Sequence, residues 1–125
     1  MSFLTDRARA HNHGSAKEGM EHWWGQRMTA IALIPLGLLF VFPFATTVGQ
    51  GFEAMTALYA NPIHAIIAAL FIVVAFNHLR LGIQVVVEDY VHGAMGKTLL
   101  ILNTLGCTAF AFAGVFAVAK IAFTS

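Results

Sequence analysis

The sequence predicts an all-α integral membrane protein with three transmembrane helices. Of its 125 residues, 58% are hydrophobic and only 10% charged, whereas soluble domains carry about 25% charged residues. Three apolar segments, Met28 to Val48, Pro62 to Val87 and Thr98 to Phe123, have the roughly 20 residues needed to cross about 30 Å of hydrocarbon. Lysine and arginine are also unevenly distributed between the segments that join them, which orients the spans.

The first 26 residues form a polar arm, with Asp6, Arg7, Arg9, His11, His13, Lys17, Glu18, Glu21 and His22. It has no apolar core of a signal peptide, and its acids set it apart from an organellar transit sequence. Residues 27–125 then make a single three-helix anchor domain. Pro35 and Pro43 fall within the first span. Membrane helices tolerate proline where neighbours satisfy the freed carbonyl, and a kink is expected. The second span starts at Asn61-Pro62, a capping side chain followed by proline in the first turn. In the third, Ala109, Ala113 and Ala117 recur every fourth residue near Gly106 and Gly114. This spacing suits close packing, against a sister span or a partner chain.

Arg7, Arg9, Lys17 and Arg27 precede the first span and Lys97 follows the second, whereas the connection Gly49 to Asn61 has neither Lys nor Arg. The N-terminus is therefore expected to be cytoplasmic and the C-terminus periplasmic. Lys120 dissents, and can snorkel. A bacterial inner-membrane protein is the simplest reading. A net charge of +1 without a basic cluster argues against nucleic acid. The lone Cys107 excludes an intrachain disulfide, and its simplest role is a small apolar residue in a helix. No dinucleotide fingerprint, phosphate loop or HExxH motif is present, so any catalysis must be shared with other chains.

Chemistry concentrates in the second span, in the run Asn77 to Tyr90. Ionisable groups are costly in hydrocarbon, which makes His78 a candidate functional residue. Three roles are open to it: haem ligand, proton relay, or hydrogen-bonding glue between helices. Gly82, one turn on, tips the balance towards haem by leaving space beside the helix. No other histidine lies at comparable depth, so a bis-histidine haem would take its second ligand from another polypeptide. Asp89 shares the azimuth of His78 about 16 Å along the axis. Asp89 and Tyr90 fit an interfacial belt and helix end, or else a quinone pocket in which a phenol donates to a carbonyl and a carboxylate delivers protons. Arg27 is either a positive-inside anchor or a partner for a carboxylate such as a haem propionate. For Arg80 snorkelling is the preferred reading, and Trp23 and Trp24 read as belt residues.

With these residues in view, the chain resembles the hydrophobic membrane-anchor family of succinate dehydrogenase, respiratory complex II. The resemblance rests on Gln26-Arg-Met-Thr-Ala-Ile31 at the start of the first span, and on His78, Gly82, Gln84-Val85 and Asp89-Tyr90 in the second. The run His22 to Leu36 looks like the alphaproteobacterial branch. The resemblance implies a complex in which a flavoprotein subunit oxidises succinate and electrons pass through an iron-sulfur subunit. This chain would pack with a second membrane anchor, a cytochrome b protein, where ubiquinone is reduced. It further implies that His78 is one axial ligand of a haem b shared with that partner, that Tyr90 and Asp89 serve the quinone, and that Arg27 approaches a propionate. A purely structural anchor without haem and a small proton-relay transporter are the alternatives.

Overall fold

The computed structural model describes Ser15 to Thr124, with side chains from Met20 onward. Arg7, Arg9 and the two histidines of the early arm lie outside the described residues, and so does the side chain of Lys17. Four helices follow: α1 Ser15–Thr47, α2 Phe52–Ala60, α3 Pro62–Tyr90 and α4 Gly93–Thr124. Three helical stretches, Met20–Thr47, Pro62–Tyr90 and Gly93–Thr124, are long and apolar enough to cross a membrane.

Each helix outruns the span read from hydropathy, because backbone hydrogen bonding continues after the apolar pattern ends. The polar stretch from Ser15 is continuous with the first span, and α1 runs through Pro35 and Pro43 without a break. Between the first two spans the chain forms the short α2, where hydropathy alone shows only a connection. Asn61 closes α2 and opens α3. Its backbone N–H donates to the Leu58 carbonyl, while its side-chain oxygen accepts from the Ile63 N–H at 2.9 Å, with Pro62 in the first turn. The α3 helix takes in Glu88, Asp89 and Tyr90 before Val91 caps it.

Only Val91 and His92 separate α3 from α4. Gly93 adopts φ +72°, and a Cβ on Gly96 would lie 2.7 Å from the Val91 carbonyl oxygen. Glycine is required at both places, for a left-handed conformation at one and a close backbone approach at the other.

α3 is the central helix, packed against α1 on one side and α4 on another, with α2 touching all three. Small residues allow this approach. Ala65 and Ala68 of α3 are buried, and Gly114 of α4 receives Ile72, whose Cγ2 would lie 3.0 Å from a Cβ at that position. Phe40 of α1 stacks on Phe71 of α3 with centroids 4.5 Å apart. Among the described residues no large side chain is fully buried, while Ile34, Phe42, Phe112 and Phe116 are among many apolar groups facing outward. That distribution suits a lipid or protein surround, since lipid removes the drive to hide apolar surface inside. Ala109, Ala113 and Ala117 are exposed, so the alanine stripe is not used against this chain's own helices.

Candidate functional site

The site is built where α1 and α3 cross. His78 Nδ1 lies 2.9 Å from Thr29 Oγ1. Thr29 is also within 2.8 Å of the Gly25 carbonyl and 3.0 Å of the Gln26 carbonyl, the back-bonded geometry of a helical threonine. A hydroxyl has one proton. Where it is spent on those carbonyls, the oxygen accepts from His78, and the proton then sits on Nδ1 with the lone pair on Nε2. A neutral imidazole of this tautomer has the donor atom an iron ligand requires, with its other nitrogen oriented by a hydrogen bond as metal-bound histidines usually are.

One turn on, the helices meet closely. A Cβ on Gly25 would lie 3.2 Å from Leu81 Cδ1, and one on Gly82 would lie 3.5 Å from Gln26 Nε2. Gly82 thus faces α1, with the amide of Gln26 at ordinary van der Waals distance from where a Cβ would stand. Gln26 and Thr29 share one face of α1 with His22, whose Nδ1 is buried without a hydrogen-bond partner among the described residues.

Arg27 belongs to another face of the same turn. It is exposed, with its guanidinium carbon 5.4 Å from the centroid of the Trp23 ring, a cation–π arrangement. It therefore projects away from the Thr29–His78 contact, free to meet a carboxylate from outside this chain. Asp89 and Tyr90, in the last turn of α3, are exposed, Tyr90 by 81%. These α1 and α3 groups do not enclose the phenol, so any pocket around it needs walls from elsewhere.

Arg80 departs from the snorkelling expectation. Its Nη2 donates to Asn77 Oδ1 at 2.9 Å, reaching back one turn towards the middle of α3 instead of towards the nearer Tyr90 end. Its carbonyl accepts from Asn103 Nδ2 of α4 at 2.9 Å, and Asn103 Oδ1 in turn accepts from the buried Cys107 thiol at 3.4 Å. Between α3 and α4, a groove of about 320 Å³ is lined by Phe76, Asn77, Arg80, Thr108 and Phe112, among others.

The structure thus brings His78 and Gly82 together with α1 and leaves Arg27, Asp89 and Tyr90 on the surface. Sequence reasoning does not assign roles to Thr29, Gln26 or Asn103. The signal for Thr29 is its place within the Arg27-Met-Thr29-Ala motif, and its partner His78 lies forty-nine residues away. Among the described residues, no three His, Cys, Asp or Glu side chains lie close enough to hold a metal ion between them. A ligand set limited to one histidine from this chain is compatible with that.

Comparison with known proteins completes the picture. A family model described as succinate dehydrogenase/fumarate reductase transmembrane subunit matches residues 5–120. A succinate dehydrogenase hydrophobic membrane anchor subunit from Paracoccus denitrificans is 33% identical, covering 96% of this chain and 93% of the relative. A succinate dehydrogenase membrane anchor subunit from Reclinomonas americana is 38% identical over 62% of this chain and 67% of its own. One from Rickettsia bellii, named as a hydrophobic membrane anchor subunit, is 33% identical over 71% of each. No solved structure matches the chain. Three membrane-length helices, a motif-bearing central helix and these relatives lead to one assignment: the chain belongs to the succinate dehydrogenase/fumarate reductase transmembrane subunits, as a hydrophobic membrane anchor of the alphaproteobacterial type.

Proposed function

We propose that this chain is one of two membrane anchors of a succinate:ubiquinone oxidoreductase in a bacterial inner membrane. In this reading its N-terminus and the Tyr90 end of α3 face the cytoplasm, as the Lys/Arg distribution favours. Succinate oxidation belongs to a flavoprotein subunit, and electrons arrive through an iron-sulfur subunit. This chain helps hold a haem b and forms part of the site where ubiquinone is reduced.

The observation that carries the reading is the Thr29–His78 contact. It engages one ring nitrogen of His78, so that Nε2, the other, would be the atom offered to a haem iron. The other ligand would come from the second membrane anchor, the cytochrome b protein. A bound haem supplies a one-electron centre at this depth. Arg27, exposed one turn from the helix crossing, pairs with a propionate.

At the rim, the Tyr90 hydroxyl donates a hydrogen bond to a quinone carbonyl, polarising it for reduction. Reduction to quinol takes two electrons and two protons. Asp89, solvent-exposed beside Tyr90, passes protons from water to the quinone oxygens. The exposure of both residues is what a site completed by neighbouring subunits would leave on this chain.

A reduced-minus-oxidised visible spectrum of the mildly solubilised complex tests the haem. A b-type band is expected, and His78→Ala should abolish or alter it. No band, or an unchanged band in His78→Ala, would overturn the assignment. Tyr90→Phe tests the quinone site: quinone reduction should fall while succinate oxidation by an artificial acceptor persists. Equal loss of both activities would count against it. A second reading, an anchor without haem, draws on the fact that His78 already has a partner in Thr29, and the same spectrum decides between them.

A further inference from the structure

Among the described residues, Arg80 is a cation without a counter-charge. A guanidinium offers five N–H donors and no acceptor. Of its five N–H donors, the structure gives a partner to one site, Asn77 Oδ1, and no carboxylate pairs with it among the described residues. Glu88 is eight residues further along, about 12 Å away on the axis, and its Oε1 already accepts from Gln84 Nε2 at 3.0 Å.

Arg80 also lies within a helix long and apolar enough to cross a membrane. Tyr90 lies ten residues on, about 15 Å towards the end of α3, and the guanidinium is drawn the other way, towards Asn77. Asn77, Arg80, Gln84 and Glu88 fall three or four residues apart, so they form one polar stripe. Arg80 lies two positions after His78, a rotation of about 200°, which puts the stripe on the side of α3 turned away from the Thr29 contact. It borders the groove of about 320 Å³ whose walls include Phe76, Ala111 and Phe112. The Asn103 bond to the Arg80 carbonyl locks α3 to α4 at this level, so the groove is preformed.

We propose that this α3–α4 groove seats a transmembrane helix of another polypeptide, one that offers a carboxylate to Arg80 and apolar side chains to the cleft. Charge complementarity within a membrane-length helix selects this occupant. Charged side chains within membranes pair with one another or line aqueous cavities. A lipid tail would fill the apolar walls, but its head group would lie at the rim, leaving the guanidinium unpaired. The proposal is independent of the haem and quinone assignments, since it uses the opposite side of α3.

Site-directed cross-linking in native membranes tests it. Cys107 is the only cysteine, so Cys107→Ser with Thr108→Cys places a single thiol on the groove wall, where benzophenone maleimide can be attached. On irradiation the label should join this chain to one transmembrane polypeptide, with an Asp or Glu within one turn of the cross-linked residue. Arg80→Glu should lower the yield about tenfold or more, Arg80→Lys should largely preserve it, and changing the partner carboxylate to Lys should restore it in Arg80→Glu. Cross-linking to lipid alone, a cross-linked segment with no carboxylate within a turn, or an unchanged yield in Arg80→Glu would each overturn the proposal. The first two outcomes are read with Arg80 intact, so they decide the matter even where Arg80→Glu fails to accumulate.

Discussion

His78 Nδ1 and Thr29 Oγ1 lie 2.9 Å apart, joining residues forty-nine positions distant and tying the central helix to the first. The contact does two things at once. It satisfies a polar group in a membrane span, and it orients the imidazole with Nε2 available.

Replacing Thr29 with Val removes the acceptor while keeping the shape of the side chain. Under the haem assignment, Thr29→Val should reduce haem retention by about 10- to 100-fold, in line with the loss of outer-shell partners at other metal sites. The haem that remains should show a raised midpoint potential, because an imidazole without its hydrogen-bond acceptor donates less electron density to ferric iron. Thr29→Ser should restore both. Redox titration and haem quantitation of the purified complex check this, and an unaltered potential and content in Thr29→Val would refute the role of Thr29 while leaving the His78 assignment standing.

At Gly114, α4 packs tightly on α3, with Ile72 Cγ2 and Cδ1 at 3.0 and 3.3 Å from where a Cβ would stand. Gly114→Ala should therefore destabilise the complex by about 1–3 kcal/mol through overpacking. Ile72→Ala in the same chain should recover part of that loss, because it removes both contacting methyl carbons. Thermal melting of the four proteins in this cycle gives the coupling. Strict additivity would show that the two residues do not share a contact.

Asn103 bridges the Arg80 carbonyl and the Cys107 thiol. Hydrogen bonds between membrane helices average about 0.6 kcal/mol, so Asn103→Leu should lower stability by about that amount. Cys107→Ala should do less through this link, since a thiol is a weak donor. The same melting measurement ranks them, and a larger hydrogen-bond effect at Cys107 would reverse the assignment.

The tight turn between α3 and α4 makes a sharper claim. Gly96→Ala sets a Cβ 2.7 Å from the Val91 carbonyl oxygen, whereas Gly93→Ala only strains a backbone at φ +72°. The Gly93 change should cost about 1–2 kcal/mol. The Gly96 change should cost more, because the clashing atom is backbone and cannot swing away. Yields of assembled complex from membranes should follow the order wild type, Gly93→Ala, Gly96→Ala.

The membrane class, the three spans and the cap at Asn61-Pro62 are legible in the sequence because each depends on local properties: length, hydropathy and one side chain acting on its own helix. His78, Gly82, Asp89 and Tyr90 stand out for a similar reason, as polar or small residues at helical spacing in an apolar run. The short α2 is not legible, because nine residues carry too little periodic signal to separate from a connection. Arg80 misleads because snorkelling and pairing with Asn77 use the same residue, and only the rotamer distinguishes them.

The sequence by itself thus determined what spans the membrane, and which residues have chemistry to offer. The tertiary structure decided which of those residues meet. Thr29 partners His78 only because α1 crosses α3 at that level, Gly82 abuts Gln26 for the same reason, and Asn103 reaches Arg80 across the α3–α4 seam. The register between two helices is set by packing of small against large side chains along both, a property of the pair that no single helix encodes.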